Sequence, residues 1–221
     1  MYYQIANTAP PSTIESTLQA SFKYKELYTA RKLINGLDES TLEVVTPAHP
    51  NQISLAIWGI LPIHYEGDWE DFQQLTNTLT IGVDQWKDNR WYSNPETYHR
   101  CIIVSTGFYT HAIHQGKVYR YFVRHAVDDL LLFGGIYNQL DDGFLTCAIL
   151  TKKSKSMQRK VKSSVDSMPL IVSKKNKTAW LDPQTSPKAV DELLMASEMA
   201  PLSITPVDRS RSYDFSGKKE A

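Results

Sequence analysis

Between Cys101 and Leu150 one local pattern recurs: a short apolar, β-branched or aromatic run, closed by a glycine or a charged turn. Cys101 to Ser105 stops short of Gly107. Val118 to Val123 alternates, with Tyr119, Tyr121 and Val123 on one side. Leu130 to Phe133 runs into Gly134-Gly135, and Phe144 to Leu150 is again β-branched and aromatic. Runs this short and this rich in Val, Ile, Tyr and Phe suit a pleated, half-buried surface better than a helix. Ile53 to Trp58, ending at Gly59, reads the same way. A chain written like this must bury sheet, and the glycine pair predicts a tight turn at a strand end.

Helices are expected only at the margins. Pro10-Pro11 precede Ser12-Thr13-Ile14-Glu15, the spacing of a capping box, and Ile14, Leu18 and Phe22 would form one apolar stripe. Ser186-Pro187 is a helix start, with Val190, Leu193 and Leu194 on the buried face. A short helix carrying Met157 and Val161 should lead to a strand at Pro169 to Ser173. Gly36-Leu37-Asp38-Glu39 reads as a polar loop, and the aromatic, acidic stretch from Glu66 to Asn94 as a long irregular one. With 42% hydrophobic residues in 221, the chain can offset its own conformational entropy, which excludes a disordered protein. The expectation is an α+β fold: one strand-rich domain over residues 1–209 with a few short peripheral helices, and a polar, frayed tail over 210–221.

Much is absent from the sequence. No run approaches the roughly 18 apolar residues of a membrane-spanning helix, and the start does not resemble a signal peptide. Cys101 and Cys147 stand alone, as reduced, buried thiols of a cytoplasmic protein would. There is no GxSxG elbow, P-loop, GxGxxG or HExxH, so no cofactor is expected. His111 and His114, three apart, lack a third ligand, and no metal site is expected. Glu66, Asp68, Glu70 and Asp71 read as a solvated acidic run.

The zero net charge hides an asymmetry. Residues 1–150 carry 10 basic and 16 acidic side chains, whereas residues 151–221 carry 14 basic and 8 acidic. Between Lys152 and Lys177, nine basic residues face only Asp166. Such density can bind phosphates. Lys152, Lys153, Lys155, Arg159, Lys160 and Lys162 are the candidate contacts to DNA, with Trp58, Trp86, Trp69 and Trp91 as stacking surfaces.

One ordered series says more than any single motif. Trp58-Gly59-Ile60-Leu61-Pro62 precedes Arg100-Cys101-Ile102-Ile103-Val104-Ser105-Thr106-Gly107-Phe108-Tyr109. Then follow Ala148-Ile149-Leu150-Thr151, Met168-Pro169-Leu170-Ile171-Val172 and Ala179-Trp180-Leu181. This order, over roughly residues 1 to 185, resembles the SOS-response-associated peptidase (SRAP) family. The resemblance implies a sensor of abasic sites in single-stranded DNA. A Cys at position 2 and the freed α-amine form a thiazolidine with the lesion's aldehyde, while an Asn, a Glu and a His assist. Arginines in the Asn-Ala-Arg and Arg-Met-Pro segments contact the DNA.

Carried over by position, the resemblance puts Tyr2 where the family has Cys, Thr80 at the Asn, and Thr110 at the Glu. Lys162 or Val165 falls at the His, depending on whether the preceding helix or the Met-Pro fixes the register. The two arginines become Gly82 and Ser167. A tyrosine cannot form a thiazolidine, its bulk hinders removal of Met1, and a threonine carries no carboxyl group. The resemblance therefore implies a catalytically degenerate member that binds single-stranded or abasic DNA non-covalently. A protein-interaction scaffold without DNA binding is one alternative. The other is DNA–protein cross-linking or peptidase activity through residues outside the family's set, such as a Schiff base on the Met1 amine or Lys162.

Overall fold

The computed structural model describes residues 3–88, 98–114, 117–154, 167–197 and 201–207. The first half contains β1 (Gln4–Asn7), α1 (Pro11–Leu18), β2 (Ser21–Phe22), β3 (Arg31–Asn35), β4 (Thr41–Thr46) and β5 (His49–Trp58). It continues with α2 (Trp69–Leu75), β6 (Thr80–Gly82), α3 (Val83–Asp88) and β7 (His99–Ser105). The second half adds β8 (Gly107–His114), β9 (Lys117–His125), β10 (Leu131–Gln139), β11 (Leu145–Lys153) and β12 (Ser167–Pro169). It ends with α4 (Lys177–Leu181), α5 (Pro187–Ala196) and β13 (Leu202–Pro206). This is the strand-rich α+β architecture expected from the apolar runs, with short helices outside the sheets.

Two sheets carry the fold. Five strands pair in the order β13-β9-β8-β1-β3. The other sheet follows β12-β11-β10-β7-β4-β5-β2, with β6 added beside β11. β5 also pairs in parallel with β11, through Thr146↔Ile57 and Cys147↔Trp58, so that β11, β10, β7, β4 and β5 close a ring. One apolar cluster fills the ring with Leu42, Val44, Trp58, Ile103, Phe133 and Ile149, and is joined by Ile5, Phe108 and Val123 from the five-stranded sheet. A second cluster lies against the helices, where Ile14, Leu18, Trp180, Val190 and Leu194 meet the opposite sides of the same strands. The central strands are thus buried on both faces, which is why their sequences are continuously apolar.

Several expectations change. Gly134-Gly135 is no turn, because β10 runs straight through it. A Cβ on Gly134 would sit 2.6 Å from Leu170 Cδ2, and one on Gly135 would sit 2.6 Å from Ile103 Cδ1 and 2.7 Å from the Ala148 carbonyl oxygen. The pair lets neighbours press on both faces of a central strand. The capping box does not form: Pro10 is the N-cap and Pro11 opens the helix. Glu15 instead accepts from the Phe22 amide and from Lys25. Ile14 and Leu18 are buried as expected, but Phe22 belongs to β2. The stretch from Glu66 is not irregular throughout, since Asp68 accepts from the Glu70 amide and caps α2, and β6 and α3 follow. Ser186 caps α5 through the Ala189 amide at 3.3 Å. Cys101 and Cys147 are free and buried, and burial raises the pKa of both thiols. The helix expected around Met157 and Val161 and the tail over 210–221 lie outside the described residues.

Candidate nucleic-acid interface

The register of three strands decides which cationic residues meet. Thr151 pairs with Gly82 on β6, while Lys152 and Lys153 pair with Met168 and Ser167 on β12. The two positions where the resemblance lost an arginine, Gly82 and Ser167, therefore flank the lysine pair at the end of β11. All four line one pocket of about 620 Å³, together with Lys87 and Asp191. A Cβ on Gly82 would find nothing nearer than Gln85 at 3.4 Å, so the β6 side of the pocket is open.

The pocket's charges are partly engaged by α5. The Lys152 ammonium donates to the Leu194 carbonyl at 2.6 Å, near the end of the helix. There the exposed carbonyls and the helix dipole favour a cation. Lys87 forms an ion pair with Asp191 on the same helix. Lys153 is exposed. The arrangement can hold an anion between β11 and α3, in competition with the carboxylate of Asp191.

Other sequence candidates separate. Trp58 is 0% exposed, and its indole N–H donates to the Leu79 carbonyl at 2.9 Å. No face of it is open to a base, so the expected stacking surface is a core wedge. Trp69 is buried too and donates to the Trp58 carbonyl. Trp86 is half-buried, with its ring 6.1 Å from that of Trp180. Lys155, Arg159, Lys160, Lys162, Val165, Tyr2 and Trp91 lie outside the described residues. Arg100, in the segment that resembles the family's Arg-Cys, donates to the carbonyls of Trp180 and Asp182 and braces the fold.

The position matching the family's glutamate lies elsewhere, in the five-stranded sheet. Thr110 is on β8 opposite Tyr121, only 2% exposed, and its hydroxyl has no hydrogen-bond partner. Carrying the β1–β8 register back from Ile5↔Phe108 sets the residue before β1, Tyr3, level with Thr110. Next to it, burial, the Arg120 guanidinium and the chain's N-terminal amine together hold the His111 pKa below its ordinary value. His111 is therefore a neutral imidazole at pH 7. His111 and His114 both belong to β8. Among the described residues no three His, Cys, Asp or Glu are placed to hold a metal ion.

Sequence reasoning missed one buried carboxylate. Glu43, on β4, is 2% exposed, accepts from Asn7 Nδ2 at 2.7 Å and lies 3.7 Å from the Arg31 guanidinium. Its signal was a lone charge inside Thr41-Leu42-Glu43-Val44-Val45-Thr46. Burial raises its pKa above the ordinary 4.5, against the opposing effects of Asn7 and Arg31. A raised carboxyl pKa means that the folded state binds the proton more tightly, so this group's contribution to stability falls as pH rises from the ordinary carboxylate range through the folded value. Glu43→Gln removes the titration. Relative to that variant, the wild type's urea midpoint is expected to fall across that window, and a difference between the two that does not change with pH would contradict the assignment.

A closed ring of strands, capped by a second sheet, is an architecture shared with solved proteins. A crystal structure from Bacteroides thetaiotaomicron matches with a TM-score of 0.80 at 16% identity, covering 94% of this chain and 92% of that one. A phage-related protein of Bordetella bronchiseptica matches with a TM-score of 0.65 at 18% identity, over 93% of this chain and 94% of that one. These likenesses establish the fold. In sequence, the SOS response associated peptidase (SRAP) family matches residues 1–211, and the chain belongs to that family. A relative from Bacillus subtilis (strain 168), the abasic site processing protein YobE, is 23% identical over 163 residues, 71% of each chain. Among the described residues no helix is long and apolar enough to cross a membrane.

Proposed function

We propose that this chain is a catalytically degenerate SRAP-family protein that binds single-stranded or abasic DNA without a covalent bond. The observation that carries the reading is Thr110. The residue at the family's glutamate position is a buried hydroxyl with no hydrogen-bond partner, and it has no carboxyl group with which to move a proton. The substitutions at Tyr2 and Thr80 point the same way, because a phenol cannot trap an imine as a neighbouring thiol does. Binding has a separate support in the pocket beside β11, where Lys152 and Lys153 sit between the two vacated arginine positions. The name of the Bacillus subtilis relative, abasic site processing, makes such DNA the first ligand to try.

Two measurements on the full chain test the two halves of the reading. Fluorescence anisotropy with a labelled abasic oligonucleotide should show saturable binding that weakens steeply as salt rises. Borohydride treatment of the same mixture should trap no adduct at any pH between about 6 and 9, a range that spans the titration of an α-amine. A trapped adduct would establish covalent chemistry through the Met1 amine or a lysine. Absence of binding at low salt would leave the scaffold reading in its place.

A further inference from the structure

Two features of opposite charge and opposite shape lie at the two ends of β11. Before its start, the β10–β11 turn presents Asp141, Asp142 and Phe144, all exposed, with Phe144 63% open to solvent. At its end, Lys152 and Lys153 line the pocket of about 620 Å³ together with Lys87, Leu194 and Met195. Met195 is itself 69% exposed. Leu145 and Lys153 stand at opposite ends of the strand, about 26 Å apart at about 3.3 Å per residue. Within one molecule the turn cannot reach the pocket.

The turn is built before anything binds it. The Leu140 amide donates to the Phe144 carbonyl, and the Gly143 amide donates to the Leu140 carbonyl. Gly143 takes φ +91°, which lets the chain double back. Asp142 Oδ1 accepts from the Phe144 amide at 3.0 Å, and the Asp141 carboxylate lies 2.7 Å from His64 Nδ1. An exposed aromatic on an ordered turn loses little freedom on entering a cavity. Its surroundings carry one sign of charge. From residue 125 to 151 the chain has no lysine or arginine. The adjoining segment, tied on by the Asp141 amide to the Ile63 carbonyl, adds exposed Glu66, Asp68, Glu70 and Asp71, again with no lysine or arginine. The pocket end is the reverse. Lys153 is exposed, and of the pocket's carboxylates, Asp84 and Asp191, the second already pairs with Lys87.

We propose that the β10–β11 turn of one molecule docks into the pocket beside β11 of a second copy, with Phe144 against Leu194 and Met195 and Asp142 meeting Lys153. The occupant is a second copy because the acidic turn, its aromatic anchor and the cationic cavity are complementary parts of the same chain. A head-to-tail contact leaves one turn and one pocket unfilled, so it builds open chains unless the rotation closes a ring. So short a turn covers little area, which places the association among transient ones. The proposal uses the pocket's charge and shape and does not require that DNA bind there.

The test is sedimentation velocity on the full-length chain. At about 10 mM salt, where charges act over roughly 30 Å, the weight-average mass should climb with concentration. At about 1 M salt, where that range is roughly 3 Å, it should stay at the monomer. Asp142→Asn combined with Phe144→Ser spoils the turn's charge and anchor but keeps an acceptor for the residue 144 amide. Lys153→Glu spoils the pocket. Each protein alone should associate about tenfold more weakly, or worse, with an unchanged urea midpoint. Mixed in equal amounts, the first still offers a pocket and the second a turn, so they should form a one-to-one pair and nothing larger. A p-benzoylphenylalanine in place of Phe144 should cross-link, on irradiation, to α5 of a second copy around Met195. A chain that stays monomeric at low salt would overturn the proposal and leave the turn to a different protein. Wild-type association without rescue in the mixture, or with cross-links outside α3, α5 and β11, would overturn it in favour of another interface. The oligonucleotide titration above decides the DNA reading separately.

Discussion

Trp58→Ala is expected to destabilise the protein by about 3–5 kcal/mol, the range for emptying a fully buried large aromatic site. The position has no slack into which neighbours could collapse. Trp58 is 0% exposed at the end of β5, where that strand pairs with β11 to close the ring. Its ring stands 3.0 Å from where a Cβ on Gly36 would be, so the β3–β4 turn rests directly on the indole. Its N–H donates to the Leu79 carbonyl, and its own carbonyl accepts from Trp69. Removing the side chain therefore opens a void and strands a buried carbonyl, two separate penalties. Trp58→Phe fills most of the void but leaves the Leu79 carbonyl unpaired, so it should fall between the wild type and Trp58→Ala. Urea unfolding followed by circular dichroism would order the three proteins. A loss below about 1 kcal/mol for the alanine variant would contradict the role of this residue as the closure of the ring.

The same tryptophan shows how far local sequence reaches. Its place in Trp58-Gly59 was legible, and Gly59 does adopt φ +116°, a conformation in which a side chain would be strained. What the local pattern could not show was the neighbour that decides between base platform and core wedge, since Leu79 lies 21 residues away. The glycine pair at 134–135 failed for the same reason. Glycines after an apolar run mean a turn in most sequences, and here they admit Leu170 and Ile103 from distant segments. β4 escaped notice because both its faces are buried, which erases the alternation by which strands are read. At the candidate site, the substitution at Thr110 was readable from the order of family segments. The meeting of Gly82, Ser167 and the lysine pair was not, because it exists only through the pairing of β6, β11 and β12.

That pairing supports the other large effect. Lys152→Glu with Lys153→Glu is expected to weaken single-stranded DNA binding roughly a hundredfold at low salt, about tenfold for each charged contact removed. Lys153 is the cleaner single change, since it is exposed, whereas Lys152 also holds the Leu194 carbonyl. Asp191 makes the opposite prediction. Its carboxylate occupies Lys87 at the pocket wall, where a phosphate would have to displace it. Asp191→Asn should therefore tighten binding several-fold and steepen the salt dependence, because one more cation becomes available to release counterions. The sign separates the two roles open to this ion pair. A brace for α5 would give weaker or unchanged binding together with a lower unfolding midpoint. An internal competitor for the pocket's cations gives tighter binding, and loses that gain when Lys87→Ala is added to Asp191→Asn.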